Sequence, residues 1–285
     1  MMRRFAEVIG DPIAHSKSPL IHNYWIEQLE LDADYRAQAV APEGLARYLH
    51  ERRGNESWLG CNVTMPHKQA IAPMLDRLDP LAAKIGAVNT VVRESDGALV
   101  GYNTDVEGFL EPLRADLASD HLFRMARICG TGGAARAIVT ALAREGFALV
   151  LAGRDPAKAA RLLAELAPAV EGFTPPLDHF ATSTDFAFDD REGILDLVVN
   201  ASPLGMEGQD KLAFHLSHAP PGSIVYDIVT VPARTALLRA AEERGLRTID
   251  GLAMLLGQAA GAFKLFFDAK PPRSLDQQLR ERLIR

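Results

Sequence analysis

Short apolar runs alternate with stretches of helical spacing along most of the chain. Phe5 to Ile9 reads as a buried strand, and Gly10-Asp11-Pro12 turns it. Leu20, Ile21, Tyr24, Trp25 and Leu29 then recur at helical spacing. Asp34 to Val40 reads as a second strand, Pro42 to Arg53 as an amphipathic helix ending near Gly54, and Trp58, Leu59 and Cys61 as a third, buried strand. Gln69-Ala70-Ile71 starts a helical pattern running through Leu75, and another spans Leu81 to Ile85. Gly86 to Val92 is a strand with Asn89 at its head. Asp96-Gly97 signals a hairpin, and the return strand carries Gly101-Tyr102-Asn103-Thr104-Asp105. This alternation predicts a mostly parallel sheet with one antiparallel edge.

The organisation changes after Asp105. A helix runs from Val106 to about Leu117, a short strand covers Arg127-Ile128-Cys129, and a helix reaches about Arg144. Phe147 to Ala152 is the next strand and Pro156 to Ala167 the next helix; Gly172 to Gly193, with adjacent Pro175 and Pro176, has weak periodicity and no assigned element. Strands follow at Leu195 to Val199, Ile224 to Val229 and Arg247 to Asp250, with a helix from Thr235 to Arg244. A long helix leaves from Gly251, and Ser274 to Arg285 forms a last short one. The pattern predicts two α/β domains. The first spans 1–105, and a dinucleotide-binding domain of Rossmann type occupies 106–250.

Three stretches carry candidate chemistry. In Asn62-Val63-Thr64-Met65-Pro66-His67-Lys68, polar and cationic groups sit at a strand's carboxyl end, where open α/β sheets bind ligands. Ser16 and Ser18 precede a helix that has Pro19 in its first turn. Ser18 is the expected N-cap, and two hydroxyls at a helix N-terminus suit a carboxylate. Gly130-Thr131-Gly132-Gly133-Ala134-Ala135 joins a strand to a helix, the context a dinucleotide fingerprint requires. After the following strand, Gly153 stands where NAD-binding proteins usually place an acid. Glycine leaves room there, and Arg154 and Lys158 could meet a 2′-phosphate, which favours NADP(H). Asp155 keeps NAD(H) open as well: its carboxylate could take ribose hydroxyls, or it could cap the helix at Pro156.

Composition narrows the classes. The chain has 285 residues, enough for about two domains, with 48% apolar and 24% charged residues. A net charge of −6 argues against a nucleic-acid footprint. No long apolar segment predicts a membrane span, and the N-terminus lacks a signal peptide's apolar region, so a cytoplasmic protein is expected. Cys61 and Cys129 read as core residues without metal spacing, and no metal is expected.

The ordered set Ser16-Lys17-Ser18-Pro19, Asn62 to Lys68, Gly86-Ala87-Val88-Asn89-Thr90, Gly101 to Asp105, Gly130 to Ala134, Asn200 to Met206 and Asp250 to Leu255 with Gln258 resembles the shikimate dehydrogenase family. The resemblance runs nearly end to end. It implies a substrate domain of 1–105 completed by the C-terminal helices 251–285, a Rossmann domain inserted between them and a site in the cleft between the two. It implies that Ser16 and Ser18 bind the substrate carboxylate, and that Thr64, Asn89 and Gln258 hold ring hydroxyls or orient the ring. Lys68 and Asp105 become the catalytic pair, with His67 beside them structural. Gly130 to Ala134 would cradle the pyrophosphate, Gly153 to Lys158 would surround the adenosine ribose, and Ile228 and Gly251 would line the nicotinamide pocket. Many relatives carry Tyr four residues after the Tyr226-Asp227 pair, where Thr230 stands here, and the usual Asn-Arg-Thr at the ribose is Gly153-Arg154-Asp155.

The implied reaction is reversible NADPH-dependent reduction of 3-dehydroshikimate to shikimate, in aromatic amino-acid biosynthesis. Hydride addition to a ring ketone creates an alkoxide, which needs a proton and a nearby positive charge. A lysine, with an ordinary pKa of about 10.4, is protonated at neutral pH and supplies both. An NAD-using quinate/shikimate dehydrogenase and a non-catalytic sensor of shikimate-like acids are the alternatives. The expected partner is a small molecule, with neither nucleic acid nor membrane, on a monomer or homodimer.

Overall fold

A computed structural model describes residues 3–185 and 193–284. Its elements divide between a first unit, Met1–Gly108 with Leu255–Arg285, and a second, Phe109–Met254.

In the first unit β1 (Arg4–Gly10) pairs in parallel with β2 (Ala33–Ala39) and with β3 (Trp58–Val63). α1 (Ser18–Gln28) follows β1, and α2 (Leu45–Arg53) joins β2 to β3 after a 3₁₀ turn at Pro42–Gly44. Next come β4 (Arg77–Leu78), α3 (Pro80–Ile85), β5 (Thr90–Arg93), β6 (Leu99–Tyr102) and α4 (Asp105–Leu110). The strand order is β2-β1-β3-β5-β6-β4. The antiparallel strand is therefore internal rather than at the edge: β5 runs against both β3 and β6. This reversal decides the site, because Asn89, which precedes β5, lies beside the residues that follow β3 and β6. The core joins Phe5, Ile9, Trp58, Val63, Ile71 and Val91. Gly60 is required within it: at φ 149° its Cα lies so close to β5 that a Cβ would fall 2.1 Å from the Val91 carbonyl oxygen.

Two expected helices differ. Gln69 to Leu75 is a series of turns with a 3₁₀ piece at Ala72–Met74. The Lys68 carbonyl accepts the Val88 N–H at 2.7 Å and is not available to a helical ladder. Beyond Asp105 the helix is broken into α4, a 3₁₀ turn at Glu111–Leu113 and α5 (Arg114–Leu117), where Pro112 has no N–H to give.

The second unit is a parallel sheet ordered β12-β11-β10-β7-β8-β9. Its elements are β7 (Phe123–Cys129), α6 (Gly133–Arg144), β8 (Ala148–Ala152), α7 (Pro156–Leu166) and β9 (Gly172–Phe173). Then follow β10 (Ile194–Asn200), β11 (Ile224–Asp227), α8 (Ala236–Glu243) and β12 (Arg247–Ile249). The unassigned region supplies β9 and a 3₁₀ turn at Leu177–Phe180, while 186–192 lie outside the described residues. Strand order reverses between β7 and β10, which creates the switch point where doubly wound sheets bind ligands. α9 (Gly251–Phe267) carries the chain out of this unit, and α10 (Asp276–Ile284) ends the described chain. Among the described residues no helix is long and apolar enough to cross a membrane.

Candidate active site

In the first unit, Lys68 Nζ donates to Asp105 Oδ2 at 2.6 Å. Asn89 Nδ2 donates to the other oxygen, Asp105 Oδ1, at 2.8 Å and lies 3.5 Å from Gln258 Oε1. Four residues spread over 190 positions of sequence thus meet, three of them through strand order. Lys68 follows β3, Asn89 precedes the reversed β5, Asp105 opens α4 after β6, and Gln258 comes from α9. Gly108 permits the last approach, because a Cβ there would sit 2.4 Å from the Gln258 nitrogen. The lysine end of the pair stays partly open, with side-chain exposures of 15% for Lys68 and 5% for Asp105. Asp105 is further fixed by its own N–H, which donates to Asn103 Oδ1 at 3.0 Å.

The neighbours have separate duties. Thr64 follows β3: its N–H donates to Ile9 O at 3.0 Å, its carbonyl accepts from the His67 N–H at 2.9 Å, and its methyl lies against Gly10. His67 is buried and its Nε2 pairs with Val40 O at 2.6 Å, so its ring ties the turn to the strand below. Ser16 and Ser18 lie in the same unit, linked to each other and not hydrogen-bonded to the Lys68 cluster: Ser18 N–H donates to Ser16 Oγ at 3.3 Å. Ser18 is not the N-cap. Lys17, at φ −82° and ψ −9°, is already helical and holds that position without a side-chain bond, so Ser18 opens the helix with a hydroxyl not spent on capping.

In the second unit the residues following β7, β8 and β11 share one edge of the sheet, since Cys129 is in register with Ala152 and Asn200, and Asn200 with Asp227. Gly130, at φ 127°, is pressed against the next strand's exit; a Cβ would lie 2.6 Å from Ala201 O. Gly132 has open space beside it and is the N-cap of α6, with no side chain bonded there and no acid in the first turn. The first N–H groups of α6, from Gly133 and Ala134 on, therefore face outward as an anion-ready helix end. Thr131 packs against Gly153: a Cβ at 153 would meet Thr131 Cγ2 at 2.8 Å. The room expected beside this glycine is thus filled by the threonine methyl.

Asp155 caps α7, accepting the N–H groups of Ala157 and Lys158 at 2.9 and 3.2 Å. Arg154 and Lys158 are exposed, without an ion-pair partner among the described residues. Ile228 and Gly251 are brought together: a Cβ on Gly251 would fall 2.4 Å from Ile228 O. Thr230 follows β11, partly buried, just before the Val231–Pro232 cis peptide. Among the described residues no cluster of three or more metal-ligating side chains is present.

Known proteins resemble this chain along nearly its whole length. The family model described as "Shikimate dehydrogenase substrate binding domain" matches residues 8–91. A curated relative from Sphingopyxis alaskensis, named shikimate dehydrogenase (NADP(+)), is 48% identical over 98% of this chain and 97% of its own. The chain belongs to the shikimate dehydrogenase family. Two crystal structures of shikimate dehydrogenases superpose along its length. One, in complex with NADP+, has a TM-score of 0.86 at 31% identity, covering 99% of this chain and 96% of that one. The other, from Thermus thermophilus in complex with NADP(H) and shikimate, has a TM-score of 0.82 at 34% identity, covering 99% and 100%.

Against that background, several residues of this shikimate dehydrogenase family member gain duties that no motif assigned. Asp227 is fully buried and accepts from Asn200 Nδ2 at 3.0 Å, Val229 N–H at 3.1 Å and Thr235 Oγ1 at 2.7 Å. Burial pushes its carboxyl up, outweighing those bonds. It anchors the segment from Ile228 to Thr230. Asn62 and Thr90, quoted only as parts of motifs, are buried and pair across β3 and β5. A polar residue inside an otherwise apolar strand was the available signal. Burial likewise raises the Cys61 thiol well above its ordinary value and the Cys129 thiol to about 12, so both remain neutral core side chains.

Proposed function

We propose that this chain catalyses the reversible NADPH-dependent reduction of 3-dehydroshikimate to shikimate, with the first unit as substrate domain and the second as NADP domain. The observation that carries it is the 2.6 Å pair between Lys68 and Asp105, with Asn89 on the carboxylate's second oxygen. An ammonium has three N–H donors. Asp105 takes one of them at Oδ2, and the partial exposure of Lys68 leaves the others toward solvent or substrate. Lys68 then donates the proton that neutralises the alkoxide and stabilises its charge beforehand. Asp105 keeps the ammonium in place, and Asn89 keeps Asp105 from turning. The Ser16 and Ser18 hydroxyls hold the substrate carboxylate; Thr64, Asn89 and Gln258 orient the ring.

When bound, NADPH supplies the hydride. The uncapped N-terminus of α6, with Gly130 and the open side of Gly132, fits its pyrophosphate. Gly130, Thr131, Gly132, Gly133 and Ala134 form that cradle, and Ile228 and Gly251 flank the nicotinamide. Gly153, Arg154 and Lys158 surround the ribose and its 2′-phosphate. Asp155 Oδ1 accepts two backbone N–H groups, which engages one carboxylate oxygen in the helix cap and supports NADP over NAD. Thr230 stands near the substrate with a shorter hydroxyl than tyrosine. The protein is cytoplasmic on this reading.

Lys68→Ala tests the role of the pair. Turnover should fall at least about a thousandfold, within the range removed with a general acid and its charge, while shikimate binding by calorimetry persists. Unchanged turnover removes the catalytic role, and a wild type that binds without turnover makes the protein a sensor.

A further inference from the structure

Behind Asn89 the buried polar residues of β2, β3 and β5 form a chain in which every bond runs the same way. The Tyr35 hydroxyl donates to Asn62 Oδ1 at 2.6 Å. Asn62 Nδ2 donates to Thr90 Oγ1 at 3.0 Å, and the Thr90 hydroxyl donates to Asn89 Oδ1 at 3.0 Å. Asn89 Nδ2 then reaches Asp105.

Direction matters at Asn89. A carboxamide presents donors on one side and an acceptor on the other; turned over, it would point lone pairs at the Asp105 carboxylate. The Thr104 backbone N–H, which can only donate, meets Asn89 Oδ1 at 2.8 Å and defines the correct orientation. Thr90 donates to that oxygen at 3.0 Å and the Thr104 hydroxyl lies 3.3 Å from it, but a hydroxyl has no fixed direction of its own. Thr90 donates to Asn89 because Asn62 donates to it. Asn62 in turn also gives an N–H to Asn89 O at 3.2 Å, which leaves its oxygen for Tyr35. Tyr35 is immobilised: its backbone N–H and carbonyl are both held by Asn23, at 2.9 and 2.7 Å, and its ring stacks on His22 at 4.0 Å. Tyr35, Asn62 and Thr90 are all buried, so water does not replace a lost link.

We propose that Tyr35 and Thr90, which touch neither Lys68 nor Asp105, are positioning residues: they fix the Asn89 amide, and through it the carboxylate that holds Lys68. This rests on the catalytic reading of Lys68 and Asp105. The chain explains why a phenol and a threonine are buried in an apolar sheet at these points.

The test is steady-state kinetics of shikimate oxidation with NADP for Tyr35→Phe, Thr90→Val, Thr90→Ser and the Tyr35→Phe/Thr90→Val double variant, beside wild type and Lys68→Ala, with melting temperatures for all. Tyr35→Phe and Thr90→Val should each lower kcat about tenfold, a modest misplacement of reacting groups, with the change in kcat exceeding that in KM. Thr90→Ser should restore kcat. The double variant should fall little below the worse single one, because both cut one chain. A merely structural role would lower melting temperature and leave kcat alone. The proposal is overturned by singles within twofold of wild-type kcat, by effects that multiply in the double variant, or by Thr90→Ser as impaired as Thr90→Val. If Lys68→Ala is inactive while the singles match wild type, the chain fails and the catalytic reading stands. If Lys68→Ala turns over normally, the catalytic reading itself fails.

Discussion

His22 makes a sharp test of the first unit's packing. Its ring is fully buried on α1, stacked on Tyr35 and edge-on to Trp25 at 5.9 Å, and neither ring nitrogen has a hydrogen-bond partner among the described residues. Burial without a partner disfavours the charged imidazolium and lowers its pKa from 6.5 to about 3. A folded pKa below the unfolded one means that the unfolded chain binds more protons between those values. Stability is therefore complete above about 6.5 and is lost as pH falls toward 3. At pH 5 the loss from this one residue is about 2 kcal/mol, from 1.36 kcal/mol per unit over about 1.5 units. His22→Phe keeps an aromatic stack and removes the titration. The assay is urea unfolding at pH 7.5 and 5.0 followed by tryptophan fluorescence, which reports the first unit because Trp25 and Trp58, the chain's two tryptophans, both lie there. The quantity is the pH-induced loss in wild type minus that in the variant, so other titrating groups and any repacking cost cancel. A difference of about 2 kcal/mol supports the reasoning; a difference under about 0.5 kcal/mol refutes it, because the imidazole must then find a partner or water that accommodates its charge.

Three further predictions separate packing from ligand geometry. Gly60→Ala forces a Cβ to 2.1 Å from a β5 carbonyl and should cost more than about 4 kcal/mol, read as loss of soluble expression and of the fluorescence transition; a stable variant would mean that β3 and β5 can part. Gly132→Ala meets nothing within 4 Å, so melting temperature should hold while KM for NADP rises about tenfold or more and KM for shikimate does not. An unchanged KM for NADP would remove α6 as the pyrophosphate site. Asp155→Ala removes a cap and should cost about 1 kcal/mol by circular dichroism without altering the NADP-to-NAD ratio of kcat/KM; a tenfold shift in that ratio would show that the carboxylate faces the ribose.

Local signals carried much of the fold. The order of strands and helices follows from periodicity, and polar or small residues at strand ends mark the sheet edge of the first unit where Lys68 and Asn89 lie and that of the second where Gly130 and Gly153 lie. What escaped was non-local. Nothing around Thr90 says that β5 lies inside the sheet, since its neighbours come from β3 and β6. Gln69 to Leu75 has helical spacing, yet Pro66 and Pro73 bracket a stretch too short to repay nucleation, and Lys68 O is committed to Val88. The two-residue β4 has no period to read. The Tyr35–Asn62–Thr90 chain joins three strands through side chains, and no spacing rule reaches that far. Asp155 was legible as a cap or as a ribose ligand; its Oδ1 makes the cap with two backbone N–H groups.

A crossed assay of shikimate and quinate with NADP and NAD tests NADP-linked turnover of shikimate at Lys68 and Asp105. Reported as kcat/KM at one pH, shikimate with NADP should lead every other pair by about a hundredfold, or about 2.7 kcal/mol of transition-state discrimination. Comparable rates with NAD would contradict the specificity assigned to Arg154 and Lys158, comparable rates with quinate would contradict shikimate as the preferred substrate, and no turnover with any pair would contradict the catalytic reading.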